Sequence, residues 1–481
     1  MTSGLKPYPA YKDSGVPWLG TVPEHWEIRR LRNTVEMRVS NVDKHTNEHE
    51  VPIRLCNYID VYKNERITDR ITFMRATASR DEIAHFRPES GDVLITKDSE
   101  MWNDIGVPAL VEYTASDLVC GYHLAILRPF KGLMDGGYLF RALQSPPVAY
   151  QFHVSANGVT RYGLSHDAIK SVVLPVPPFP EQAAIIRFLD HADRRIRRYI
   201  RDKQKLIKLL EEQKQAIIHR AVTRGLDPNV RLKPSGVEWL GEVPESWEIL
   251  RTRYLFREVD CRSKAGTETH LSMSQKLGLV PSSMVEQRTL VSLSYTGAKL
   301  CEEDDLVLNR LKAHLGVFAL ARQSGVISPD YTVLRKIRPM VVQYFEHVLR
   351  CPACRGELRV RAKGIVEGFW RLYTDDFYNI RLPVPSENDQ RQIVDAIDVA
   401  TESIRATIRQ NEQEIALLRE YRTLLIADVV TGKLDVRDAA QHLQAEAEEL
   451  ELLDDVEALA DGEEDGEDAD LDPTQEKPPD E

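Results

Sequence analysis

The sequence predicts an α+β protein made by internal duplication, with two pseudo-symmetric globular domains separated by two long antiparallel helices. Three observations predict it. GVPWLGTVPEHWEI (15–28) returns as GVEWLGEVPESWEI (236–249), identical at eleven of fourteen positions. LPVPPFPEQAAIIRFLD (174–190) returns as LPVPSENDQRQIVDAID (382–398) at an offset of 208, which holds without a gap to AVTRGLD (221–227) against VVTGKLD (429–435). After each Pro-rich stretch come about 42 residues without internal Pro or Gly, at 182–223 and its counterpart. Self-similarity of this kind decides every later assignment.

Each half begins with the Trp motif. Its Gly and Pro residues set turns and its indoles supply apolar area, so Trp18, Trp26, Trp239 and Trp247 are expected to anchor each globular region where the chain enters it. The regions that follow, 29–173 and 250–381, are unlike one another except at their ends, where YLFRALQSPPVAYQFHVSANGV (138–159) aligns with YFEHVLRCPACRGELRVRAKGI (344–365). GDVLITKD (91–98), PALVEY (108–113) and YHLAILRP (122–129) read as short strands between turn residues. DDLVLNRLK (304–312), GVFALA (316–321) and YTVLRKIRP (331–339) read alike. One helix is expected to close each region, near 136–153 and 341–360.

In the first long segment Ile185, Leu189, Ala192, Ile196, Tyr199, Leu206, Leu210 and Ile217 form a heptad stripe, interrupted by Lys203 and Gln213. Ile393, Ile397, Ala400, Ile404, Leu418, Tyr421 and Leu425 form its counterpart. A helix of this length, roughly 63 Å at ~1.5 Å per residue, needs a partner for such a stripe. The economical partner is the other copy, paired antiparallel.

Composition bounds the function. The 481 residues exceed one ordinary core, 42% are hydrophobic, and no apolar run approaches a membrane span. No signal-peptide pattern opens the sequence and the six cysteines are dispersed, so a reducing, cytoplasmic setting is expected. The net charge of −12 conceals an asymmetry: residues 446–481 hold eighteen Asp/Glu and one Lys, leaving the rest at +5 from 62 Lys/Arg and 57 Asp/Glu. The acidic tail has almost nothing to bury and reads as disordered.

No catalytic constellation stands out. TGK (431–433) lacks the glycine of a phosphate-binding loop, and no strand leads into a G-x-G-x-x-G turn. His347, Cys351 and Cys354 have a zinc-like look. Yet Ser145 and Val148 stand at the aligned positions of the first half, and a structural zinc would be expected in both copies. What the chain offers is two related, non-identical domains whose loops carry Lys, Arg, Asn and Tyr; Arg, Lys, Asn and Gln are the residue types that reach phosphates and base edges. TKDSEMWND (96–104), NGVTRYG (157–163), NRLKAH (309–314) and RVRAKG (359–364) supply the DNA-binding candidates: Lys97, Asn103, Thr160, Arg161, Asn309, Arg310, Lys312 and Lys363.

Taken together, the paired Trp motifs, the LPVPPFPEQAAI and LPVPSENDQRQI pair, GDVLITKDSE, LVLNRLKAHLGVFAL, SPDYTV and the helix ends AVTRGLD and VVTGKLD resemble the specificity subunit of type I restriction–modification enzymes, over residues 8 to about 437. The resemblance implies target recognition domains at 1–173 and 230–381. It implies a central conserved region with the first long helix at 174–229, a distal one with the second at 382–440, and leaves 441–481 as the acidic tail. It further implies a non-catalytic subunit that reads a bipartite site on double-stranded DNA and docks two methyltransferase subunits, joined by restriction and translocase subunits. On that reading no cofactor binds this chain; S-adenosylmethionine, ATP and Mg belong to the partner subunits. A coiled-coil interaction scaffold with two protein-binding domains is the alternative.

Overall fold

The computed structural model describes residues 5–274, 277–285, 295–364 and 370–443. The acidic tail, with its expected disorder, lies outside the described residues. Two compact units emerge: residues 1–201 with 415–481, and residues 202–414. The fold is mixed α and β, with two long helices, Phe179–Arg224 of 46 residues and Glu387–Val430 of 44, each contributing residues to both units.

In the first unit a five-stranded sheet runs in the order Val35–Val39, Leu124–Pro129, Val93–Thr96, Pro108–Val111, Arg66–Ile67. Its central strands are apolar on both faces because both faces are covered. Val93, Ile95, Ala125 and Leu127 point into a core shared with Trp26, Tyr138, Phe152 and the long helices. Leu94, Leu124 and Ile126 point into a second core with Ile53, Leu55 and Cys120, under the sheet Leu118–Cys120, Val51–Cys56, Met74–Ala78. The two-residue period of a strand sends alternate side chains to the two cores.

The second unit repeats the device with a four-stranded sheet, Phe256–Val259, Tyr331–Lys336, Leu306–Asn309, Phe318–Leu320. Leu306, Leu308, Phe318 and Leu334 enter the core that holds Trp247 and Tyr344. Val307, Ala319 and Val333 enter another, with Leu271 and Cys301. The helix expected to close each globular region is two helices in each case. Gly136–Gln144 gives way to Pro146–Ser155, and Val342–Arg350 to Pro352–Arg361. Pro146 and Pro352 cannot donate to the preceding turn, so each starts a new helix at its first position.

The repeated motifs meet in space. Glu27–Arg30, the end of the first Trp motif, pairs antiparallel with Val173–Val176; Glu248–Arg251 pairs likewise with Arg381–Val384. The Pro-rich stop is thus the strand partner of the Trp motif. Gln182 then pins the start of the first long helix: its Oε1 accepts from Asp135 N at 2.8 Å and its Nε2 donates to Leu133 O and Pro177 O. Gln390, its counterpart, accepts from Val341 N and donates to Pro385 O, both at 2.9 Å. Trp26 is fully buried, with its Nε1 donating to Glu181 Oε1 at 3.1 Å, and it packs over Gly432. Trp247 packs over Gly225. Both glycines have φ of +74°, the left-handed cap that ends a helix. Trp18, in contrast, is 43% exposed, whereas Trp239 is half-buried against the core of the second unit; the anchoring expected of all four indoles rests on Trp26, Trp239 and Trp247.

The long-helix stripe is correct at its start and shifts at its middle. Ile185, Leu189, Ala192 and Ile196 are buried, but Tyr199, Leu206 and Ala400 are exposed. In the first helix Ile207 is more buried than Leu206 and Ile218 more than Ile217; in the second, Thr401 takes the seam position instead of Ala400. Lys203 does not interrupt the seam but occupies it. Its Nζ donates to Asn411 Oδ1 at 3.1 Å and pairs with Glu414. Lys203 and Asn411 are each other's counterparts at the offset of 208. Within the second unit, Lys214 and Ile218 line one cavity with Asp398 and Arg405. Numbers fall on one helix as they rise on the other, so the pairing is antiparallel.

Candidate nucleic-acid interface

In the first unit the candidates gather on a surface built from three backbone connections. The strand Val93–Thr96 ends at Lys97, whose N donates to His123 O at 3.0 Å and whose O accepts from Leu164 N at 2.8 Å. Asp98–Ser99 then pairs with Tyr162–Gly163, the second strand of the hairpin that carries Thr160 and Arg161 at its turn. Gly158 sits at φ +154° in that hairpin, and a Cβ there would meet Arg161 O at 1.9 Å, so the tight turn demands glycine.

The side chains follow. Asp98 Oδ2 lies 2.8 Å from His123 Nδ1 and 3.8 Å from Lys97 Nζ; Arg161 Nη2 lies 3.4 Å from the His123 ring. Lys97, Thr160 and Arg161 are therefore neighbours, with Thr160 and Arg161 exposed. Asn103 is exposed on the loop that continues from Ser99. The next residue on that loop, Asp104, accepts from the Tyr62 hydroxyl at 2.6 Å. This hydrogen bond, with burial, pushes the Tyr62 hydroxyl up to about 12, so it stays a neutral donor.

Sequence reasoning missed the aromatic part of this surface. Tyr58 and Tyr62 stack with centroids 5.4 Å apart, Tyr58 meets His123 edge-on, and Trp102 meets His153 edge-on. Met101, Trp102, Tyr62 and Tyr122 are exposed. The available signal was the spacing of Tyr58 and Tyr62, one helical turn apart, and Trp102 inside a loop already singled out.

In the second unit the candidates divide by what their side chains do. Asn309 ends the strand Leu306–Asn309, and its Oδ1 accepts from Leu311 N at 3.1 Å and Lys312 N at 3.3 Å. Arg310 Nε donates to Asp330 O at 2.9 Å, and Arg310 O accepts from Leu372 N at 3.0 Å. Lys363 bridges by its backbone to Arg371, and its Nζ pairs with Asp376 at 2.8 Å. The segment 371–372 thus brings Arg310 and Lys363 into one neighbourhood. Asn309 holds the turn that presents Lys312, which is exposed.

Cys351 and Cys354 are buried core residues, and among the described residues no group of three or more His, Cys, Asp or Glu is placed to hold a metal ion. Among the described residues no helix is long and apolar enough to cross a membrane.

No protein-family model matches the chain. A putative type I restriction enzyme MjaX specificity subunit from Methanocaldococcus jannaschii is 21% identical over 428 residues, covering 87% of this chain and 96% of that protein. The type I restriction enzyme MjaVIII specificity subunit of the same organism is 21% identical over 232 residues, 48% of this chain and 49% of its own. Among solved structures, a chain described under the complex assembly and conformational transition of the type I R–M system superposes with a TM-score of 0.60 at 16% identity, over 86% of this chain and 99% of that one. The duplicated framework, the end-to-end similarity to the first relative and the shared fold agree: along most of its length the chain is similar to type I restriction–modification specificity subunits.

Proposed function

We propose that this chain reads a bipartite sequence in double-stranded DNA, one half-site per unit, for a type I restriction–modification complex. The single observation that carries this reading is the division of the duplication. The framework that holds the units repeats its motifs and their contacts, down to Gln182 and Gln390, while the surfaces it presents differ. A repeated support with unlike loops suits two different half-sites. Lys97, Asn103, Thr160 and Arg161 serve one; Lys312 and Lys363 serve the other, on a turn held by Asn309 and Arg310. Base contacts would come from this polar set and phosphate contacts from the same basic loops.

On this reading the chain catalyses nothing itself. It docks two methyltransferase subunits that use S-adenosylmethionine, with restriction and translocase subunits supplying the ATP- and Mg-dependent steps. The test is methylome sequencing of cells carrying the whole system with and without this chain. A bipartite adenine motif should appear only with it. Identical methylomes would reject the proposal and favour a scaffold without DNA recognition.

A further inference from the structure

The two halves of the duplication treat one place differently. In the first unit Arg141, 1% exposed, donates through Nη2 to Asp190 Oδ1 at 2.7 Å and Asp193 Oδ2 at 3.2 Å. Arg422 from the second long helix also pairs with Asp193 and reaches Glu65 at 2.8 Å. The cavity beside Arg422 is balanced in charge: Arg422 and Lys63 face Glu65 and Asp104.

At the aligned positions of the second unit stand His347 for Arg141, Asp398 for Asp190, Thr401 for Asp193 and Lys214 for Arg422. The equivalent cavity, about 360 Å³, is lined by Lys214, Arg322, Arg350 and Arg405 against only Glu346 and Asp398. Both carboxylates are engaged. Glu346 accepts from Arg350 at 3.1 Å; Asp398 accepts from Gln343 at 3.2 Å and Arg405 at 3.3 Å. Lys214 also pairs with Glu211 on its own helix, so one positive charge, that of Arg322, remains in surplus among these groups. On the wall, His347 Nε2 is buried without a hydrogen-bond partner, and a buried polar atom of this kind calls for one. Burial holds the ring at about 4, so it is neutral near pH 7 and can donate an N–H.

We propose that this cavity binds a small phosphoryl dianion, either inorganic phosphate or the terminal phosphoryl group of a nucleotide. Guanidinium forks match phosphoryl oxygens in geometry, and Lys214 adds a point charge. The volume holds a phosphate with water or the end of a nucleotide. Only the second unit carries this surplus, so the site is single per chain.

The test is thermal unfolding of the full chain titrated with phosphate, chloride being adjusted to hold ionic strength constant. A saturable rise in Tm is expected. A parallel titration with ATP distinguishes the sources: phosphate alone acting assigns a free anion, and tighter action by ATP assigns a nucleotide. The double substitution of Lys214→Gln with Arg322→Gln, both at the rim, should weaken the apparent affinity by about tenfold or more. His347→Phe removes the buried N–H donor while keeping the bulk of a ring, and should weaken the apparent affinity likewise. Lys312→Ala, on the DNA-reading loop, should leave it unchanged. No saturable rise with either anion, or an affinity unchanged in both cavity variants, would overturn the proposal. So would a rise with succinate in place of phosphate, which would point to an acidic side chain of a partner.

Discussion

Asp193 receives three guanidinium groups. Arg141, Arg197 and Arg422 all pair with it. Burial alone would raise its carboxyl. The hydrogen bond from Arg422 and the charges of Arg141, Arg197 and Arg422 outweigh that and hold it well below the usual carboxylate range. A depressed folded-state value means that its contribution is complete above the unfolded value of ~3.9 and is lost as pH falls through the lower folded one. Asp193→Asn should therefore cost about 3 kcal/mol in urea unfolding at pH 7, and the gap to wild type should close only below about pH 4. A gap that closed between pH 5 and 7 would reject this account. The candidate DNA-binding residues separate in the same way. Asn309→Ala removes the acceptor of two backbone N–H groups and should lower stability by about 1–2 kcal/mol, whereas Lys312→Ala should weaken DNA binding at one half-site only. Melting curves and binding to single-half-site variants would distinguish them. Sequence reading found these residues by type and loop position. It could not tell Asn309's structural role from Lys312's exposure, because Arg310's partner near residue 330 and the backbone bridge at Arg371 are remote in sequence.

Among the elements, the strands of both sheets were legible from turn residues and apolar runs: Val93–Thr96, Pro108–Val111, Leu306–Asn309 and Tyr331–Lys336 lie inside the segments expected. The long helices were legible from the lack of interior Pro and Gly. Their seam was legible at Ile185, Leu189, Ala192 and Ile196 and at Ile393, Ile397, Ile404 and Leu425, but not at its middle, because an apolar stripe cannot include a lysine, and here Lys203 is the seam residue. Antiparallel partners make this understandable. At the level where counterparts face each other, Lys203 meets Asn411, and Glu414 neutralises the ammonium. Asn411 is 6% exposed, and its Nδ2 donates to Thr407 O at 2.8 Å. Lys203→Leu removes the donor to Asn411 Oδ1 and should cost about 1–3 kcal/mol. Adding Asn411→Leu should restore wild-type stability or exceed it, since a packed apolar pair replaces a desolvated polar one. A double-mutant cycle by chemical denaturation measures this. Strict additivity of the two substitutions would mean that the pair does not interact.

At the scale of the whole molecule, the duplication was the most legible feature, since it needs only identity of residues. Its physical reason needed the structure: the Trp motif and the LPVP stop are strand partners, and Trp26 and Trp247 each close over the glycine that ends a long helix. Each long helix gives residues to both units, 179–201 and 202–224 in the first and 387–414 and 415–430 in the second. If the units read separate half-sites, these helices set the unread spacer. Lengthening them must respect the antiparallel pairing. Insertions after Leu210 and Leu418, equivalent in sequence, would fall at different levels of the pair and leave the intervening residues out of register. Insertions after Lys203 and Asn411 fall at one level, because those residues face each other. Four helix-favouring residues at both places add about 6 Å and turn the helix ends about 40° past one revolution, while B-DNA advances ~3.4 Å per base pair. The double insertion should therefore keep both half-sites and widen the spacer by one to two base pairs, read by selecting bound or methylated sequences from a random library. A seven-residue double insertion should preserve the seam better but match the duplex phase worse. If activity survives the four-residue insertion with the original spacer, another contact sets the distance; if each single insertion alone is tolerated as well as the double, the two helices are not paired at this level in the working complex.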